Sequence, residues 1–106
     1  MKHVTMADKS LLIGDEAADA LTEYAALVAK IGGGDQVKLQ AVGADGDEVT
    51  VTFVLNSGTV MLAETSRSTL PEPKNDDAVR YMRSRLNSFG DASAIDEAHT
   101  GFTSEV

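Results

Sequence analysis

Hydrophobic and polar positions change period several times along the chain, and each change marks an element. Residues 2–6 and 10–13 are short β-prone runs around Ala7-Asp8-Lys9, which predicts a small hairpin or one bent strand. Gly14-Asp15 closes this unit, and Asp15 has the acceptor side chain of a helix N-cap. From Glu16 to Ile31 the period becomes helical. Ala17, Leu21, Tyr24, Val28 and Ile31 fall within an arc of roughly 80° on a helical wheel, opposite Asp19, Glu23 and Lys30. The acids gather in the first half and Lys30 stands near the end, as the helix dipole favours. Gly32-Gly33-Gly34 stops the helix, because glycine reaches the left-handed conformation past a helix end without strain.

Alternation follows. Val37, Leu39 and Ala41 interleave with Lys38, Gln40 and Val42, and after Ala44-Asp45-Gly46-Asp47 it resumes as Val49, Val51, Phe53 and Leu55 against Thr50, Thr52 and Val54. Asp-Gly between two alternating runs is a strong hairpin signal. Asn56-Ser57-Gly58 makes a second turn, and Thr59–Glu64 reads as the third strand of a meander, with Val60 and Leu62 on one face. Residues 66–75 hold both prolines, Pro71 and Pro73, and read as an extended linker. Asn75 or Asp76 then caps a second helix to about Phe89, in which Val79, Met82, Leu86 and Phe89 form a narrow apolar seam. Residues 91–106 are acidic and without periodicity, which predicts a disordered tail behind a single domain over 1–90.

The fold class expected is α+β, in the order β(β)-α-β-β-β-α, an antiparallel meander covered on one face by one or two helices. The second helix can cover its seam in two ways. Either the linker folds back and the helix lies beside the first, or the linker stays extended and the helix reaches a second subunit. At about 3.1 Å per residue, ten linker residues span roughly 30 Å, enough for both.

Composition narrows the function classes. Nine basic residues face seventeen acidic ones, for a formal net charge of -8. All nine bases and thirteen of the acids precede residue 87, so each side of that point carries -4. Such a charge favours solubility and repels phosphate backbones. The chain has two Tyr, three Phe and no Trp, scattered along it, too few for a base-stacking platform. It has no cysteine, which excludes disulfides, thiolate catalysis and Cys-based zinc sites. No run approaches the ~20 apolar residues of a membrane span or the start of a signal peptide, so a cytoplasmic setting without membrane contact is expected.

No residue pattern demands catalysis. Gly32-Gly33-Gly34 follows a helix instead of preceding one, so the dipole has the wrong sign for a phosphate cradle. Asp45-Gly46-Asp47-Glu48 lacks the ligand spacing of a calcium loop and reads as a hairpin turn. Asp15, Glu16, Asp19 and Glu23 stand at helical neighbour spacing but read as a solvated acidic face. His3 and His99 lie near opposite ends of the chain, and no serine sits in a nucleophile-elbow sequence. Arg80, Arg83 and Arg85 flank both sides of the second helix's seam. That placement suits ion pairs with the first helix or tail, or the rim of a protein interface, more than phosphate tracking.

In layout alone, the order of elements resembles that of double-stranded-RNA-binding domains and ribosome hibernation factors. Those proteins carry dense Lys/Arg surfaces where this chain has acids, so the resemblance does not imply their activity. The expected function is a small soluble, non-enzymatic interaction domain without cofactor or metal, binding a protein partner or itself. Homodimerisation would use the free sheet face or the seam of Val79, Met82, Leu86 and Phe89, rimmed by Arg80, Arg83 and Arg85. Two alternatives stay open: an acidic mimic of nucleic acid that blocks a DNA- or RNA-binding partner, and a ligand-binding or enzymatic domain. The latter would have a pocket between the first helix and the sheet, using carboxylates such as Asp15 or Glu16.

Overall fold

Strands β1 (Lys2–Met6) and β2 (Lys9–Ile13) pair antiparallel, with Met6 opposite Lys9, so only Ala7 and Asp8 form the turn. Ala7 adopts a left-handed φ of 54°, the positive φ that such two-residue hairpin turns require. Helix α1 (Asp15–Lys30) follows at once. Its N-cap is Gly14 and not Asp15, which is the first helical residue; no side chain caps this end. Ala17, Leu21, Tyr24 and Val28 are buried as the helical period predicts, but Ile31 lies past the helix and is 49% exposed. The glycines behave as a helix stop, with Gly32 at a φ of 68°.

Strands β3 (Gly34–Val42) and β4 (Glu48–Asn56) pair over their full length, Val37 opposite Phe53 and Leu39 opposite Val51. Their loop is Ala44-Asp45-Gly46, with Gly46 left-handed at 89° as in three-residue hairpin loops. Val37, Leu39, Ala41, Phe53 and Leu55 face the core, whereas Val51 is half-buried and Val49 exposed towards the hairpin tip.

The third strand departs from the expected meander. β5 (Met61–Thr65) pairs with β1, and the sheet order is β4-β3-β2-β1-β5, antiparallel throughout. The two edge strands are joined by only four residues, with Thr59 N–H bonded to the Asn56 carbonyl in a turn. A turn holds its ends within about 7 Å, and two more residues add at most about 7 Å. The edges of a flat five-stranded sheet would stand about 19 Å apart. The sheet is therefore strongly curled, and β2 and β3 pair only at Leu12–Val42. α1 packs against both edge strands. Met61 packs on the core while Val60, outside β5, and Leu62 point outwards.

The structure, a computed structural model, describes residues 1–89 in full and the backbone of residues 90–100. Helix α2 spans Asp76–Thr100, so its backbone continues past Gly90, where the sequence pattern ends it. The tail expected to be disordered, 91–106, lies outside the fully described residues. The linker folds back and α2 packs beside α1 and on β3. Asn75 explains how. Its carbonyl accepts from Val79 N–H as an N-cap carbonyl does, while its side chain stitches to β3. There Gln40 N–H donates to Asn75 Oδ1 at 2.7 Å, and Asn75 Nδ2 donates to the Gln40 carbonyl at 2.9 Å. One side-chain amide thus stands in for a strand where β2 has turned away into α1.

Candidate functional site

Folding back decides the fate of the seam. Met82 is wholly buried within this one chain, and Val79 and Leu86 pack half-buried against the same core. Phe89 is half-buried, with the Arg85 guanidinium 5.4 Å from its ring centre. The three arginines disperse. Arg83 pairs with Glu23 of α1 at 2.8 Å, Arg80 with Asp77 of its own helix at 2.8 Å, and Arg85 turns to a tyrosine. The acids of α1 are partly answered as well. Lys2 Nζ bonds Asp19, which holds the lysine's pKa above its ordinary value, and the Met1 amino group stands 3.2 Å from Asp15.

A polar network joins α1, β3 and α2. The hydroxyls of Tyr24 and Tyr81 both donate to Asp35 Oδ2, the latter at 2.6 Å, and Gln36 N–H donates to Oδ1 at 2.8 Å. Arg85 Nε donates to the Tyr24 oxygen at 2.7 Å, and the two tyrosine rings meet edge to face at 6.0 Å. Burial, reinforced by the Asp35 bond, pushes the Tyr24 hydroxyl well above the usual tyrosine range. Burial also resists ionisation of Asp35, but the two hydroxyls, the Gln36 amide and the Arg85 charge together hold its carboxyl below the ordinary range. The result is a protonated phenol donating to an ionised carboxylate whose two oxygens are both engaged. This network ties α2 to α1 and β3.

The second feature is the free edge of β4. In an antiparallel pair, residues alternate between exchanging backbone bonds with the partner and pointing them away. Gly43 N–H bonds the Asp47 carbonyl, which fixes the phase. Ala41, Leu39, Val37 and Asp35 bond across to Val49, Val51, Phe53 and Leu55, leaving the amides and carbonyls of Glu48, Thr50, Thr52, Val54 and Asn56 directed outwards. Two separate contacts agree with this phase. Gln40, opposite Thr50, gives its backbone to Asn75, and the Thr59 hydroxyl takes both the Val54 carbonyl and the Asn56 amide. Among the described residues, nothing takes the outward backbone groups of Thr50 and Thr52.

Beside this edge run two adjoining hollows of about 600 Å³ and about 280 Å³. Val51–Val54 border the smaller one consecutively, so the strand's edge itself forms its wall. Val4, Met6, Lys9 and Leu11 face them from β1 and β2, and the larger hollow continues along Val49 and Thr50 to the Gly43–Asp45 turn.

No protein-family model matches the chain, nor does any curated protein or solved structure. The geometry alone must carry the functional reading.

The other sequence-flagged groups stay apart. Asp45 and Asp47 form the hairpin tip, where Asp45 Oδ1 accepts from Asp47 N–H. His3 lies half-buried in β1, and His99 is outside the residues whose side chains are described. A hollow of about 190 Å³ does lie between α1 and the start of β5, lined by Thr22, Ala25, Ala26, Ala29, Thr59 and Met61, but without the expected carboxylates. The hollow beside Glu16, also about 190 Å³, lies between the start of α1, the linker and α2, with Glu72, Lys74 and Asp76 around it. Among the described residues, no cluster of three or more His, Asp or Glu is arranged to hold a metal ion, and no helix is long and apolar enough to cross a membrane.

Proposed function

We propose that this chain is a protein-interaction domain without catalytic chemistry of its own, and that it docks a partner segment in extended conformation along the free edge of β4. The observation that carries this reading is the unprotected edge. Proteins ordinarily blunt an edge strand with charges, proline or a bulge, because outward N–H and C=O groups template further pairing. β4 has nine residues, pairs without interruption with β3, and holds one charge, Glu48, and no proline. A strand added there would gain main-chain hydrogen bonds from Thr50 and Thr52. Its inward side chains would enter the groove beside Leu11 and Val51, the usual division between affinity and specificity in strand addition. A cysteine-free chain needs no oxidising compartment, which supports a cytoplasmic setting.

The test uses a synthetic peptide of alternating Thr and Val with terminal lysines, added in excess to isotopically labelled protein. Amide shifts should concentrate at Thr50, Thr52, Val51 and Leu11. Shifts centred on α2, or none at all, would overturn the proposal.

A further inference from the structure

The edge strand matches itself. Resting on the strand-docking reading above, we infer that the segment β4 receives is β4 of a second copy, paired antiparallel about a two-fold axis that falls within Thr50–Thr52.

Three observations carry this. The first is register. The outward groups of Glu48, Thr50, Thr52 and Val54 repeat every second residue, so a copy turned end for end sets Thr50 against Thr52 of the partner subunit and the reverse. Such self-complementarity is what a two-fold interface requires. The Thr59 hydroxyl, already on the Val54 carbonyl and the Asn56 amide, closes the ladder at that end.

The second is charge. A chain with net charge -8 resists meeting its copy over most of its surface. β4 is a nearly neutral window in that surface. Its one acid, Glu48, would lie opposite Val54 of the partner subunit, six residues along the strand from the other Glu48. That is about 20 Å at 3.4 Å per residue, well beyond the ~8 Å over which exposed charges act in physiological salt.

The third is what gets covered. Val51 would face Val51 of the partner subunit across the axis, extending the row of exposed Val49 and half-buried Val51 into the groove beside Leu11. On the opposite face Thr50 and Thr52 would form cross-strand threonine pairs, a favourable combination. The edge at β5 offers less, with five residues and Glu64 near its end.

Sedimentation velocity on the full chain, from about 1 µM to about 1 mM, should show a monomer passing to a dimer. Thr52→Pro removes one outward amide and leaves the β3 ladder untouched, so it should give a monomer whose melting curve matches wild type in dilute solution, where the wild type is monomeric too. Thr52→Lys, which places two like charges near the axis, should do the same and serves if the proline variant fails to fold. A wild type that stays monomeric throughout, or a dimer that survives in a folded variant, overturns the inference. The peptide experiment separates the two levels. Self-pairing alone falls if the wild type is monomeric at every concentration yet the peptide still shifts Thr50 and Thr52. Both readings fall if the wild type is monomeric and the peptide, added at a concentration where the chain is monomeric, does nothing.

Discussion

Asn75→Ala is the substitution that probes how the linker is held to the sheet. The Asn75 side chain donates to and accepts from the backbone of one β3 residue, Gln40, at 2.9 and 2.7 Å. A hydrogen bond of this kind contributes about 1 kcal/mol net, and a group left desolvated and unpartnered costs about 1–3 kcal/mol. Gln40 is half-buried, so water replaces part of what is lost, and a destabilisation of roughly 2 kcal/mol is expected. Asn75→Asp keeps the acceptor but sets a carboxylate oxygen against the Gln40 carbonyl, so at neutral pH it should destabilise at least as much. The sign of its pH dependence follows. The protonated acid can donate to that carbonyl and the ionised one cannot, so the folded state raises the pKa of the introduced carboxyl. The penalty is therefore full at neutral pH and shrinks as pH falls through that raised value. Urea unfolding followed by circular dichroism at several pH values measures both variants, with exchange of the Gln40 amide as the local readout. An Asn75→Ala variant within ~0.5 kcal/mol of wild type, or an aspartate variant more stable than the alanine one at neutral pH, would refute the bridge.

Leu21→Ala should cost about 2–5 kcal/mol in the same assay, because Leu21 is wholly buried between helix and sheet. Glu23→Ala loses only a half-exposed pair with Arg83 and should cost under ~1 kcal/mol; equal costs would mean the helix presents a different face. The lowered pKa of Asp35 gives a contribution present above the unfolded carboxylate pKa of about 3.9 and lost as pH falls through the lower folded value. Tyr24, raised, contributes below about pH 10 and loses that contribution as pH climbs. Asp35→Asn should accordingly flatten the acid limb of the stability profile, and an unchanged limb would show that the carboxylate is not part of the tie.

Legibility in the sequence followed the range of the interactions. The buried stripe of α1 and the alternation of β3 and β4 are local periodicities, and they appear where the pattern puts them, apart from the exposed Ile31 and Val49. The partner of β5 was not legible. A four-residue turn after β4 is compatible with pairing beside it, and only the curl of the sheet carries β5 to β1. Asn75 was readable as a cap, but its side chain is engaged by a residue 35 positions away. The Tyr24–Asp35–Tyr81–Arg85 network spans separations of 11, 46 and 61 residues. The one sign of it in the sequence was Tyr81 and Arg85 one helical turn apart, on the side of α2 that turns out to meet α1. The neutral, β-branched composition of β4 was equally plain. That it would end up as an edge depends on long-range pairing, which composition does not encode.

The docking account turns on one stretch of backbone, so amide hydrogen exchange along β4 tests it most directly. At every protein concentration the amides of Val49, Val51, Phe53 and Leu55, bonded to β3, should exchange slowly. Those of Thr50 and Thr52 should exchange fast in dilute solution and become protected as the protein is concentrated. Fast exchange at Thr50 and Thr52 under all conditions, with excess strand peptide included, or protection that persists on dilution of a monomer, would contradict it.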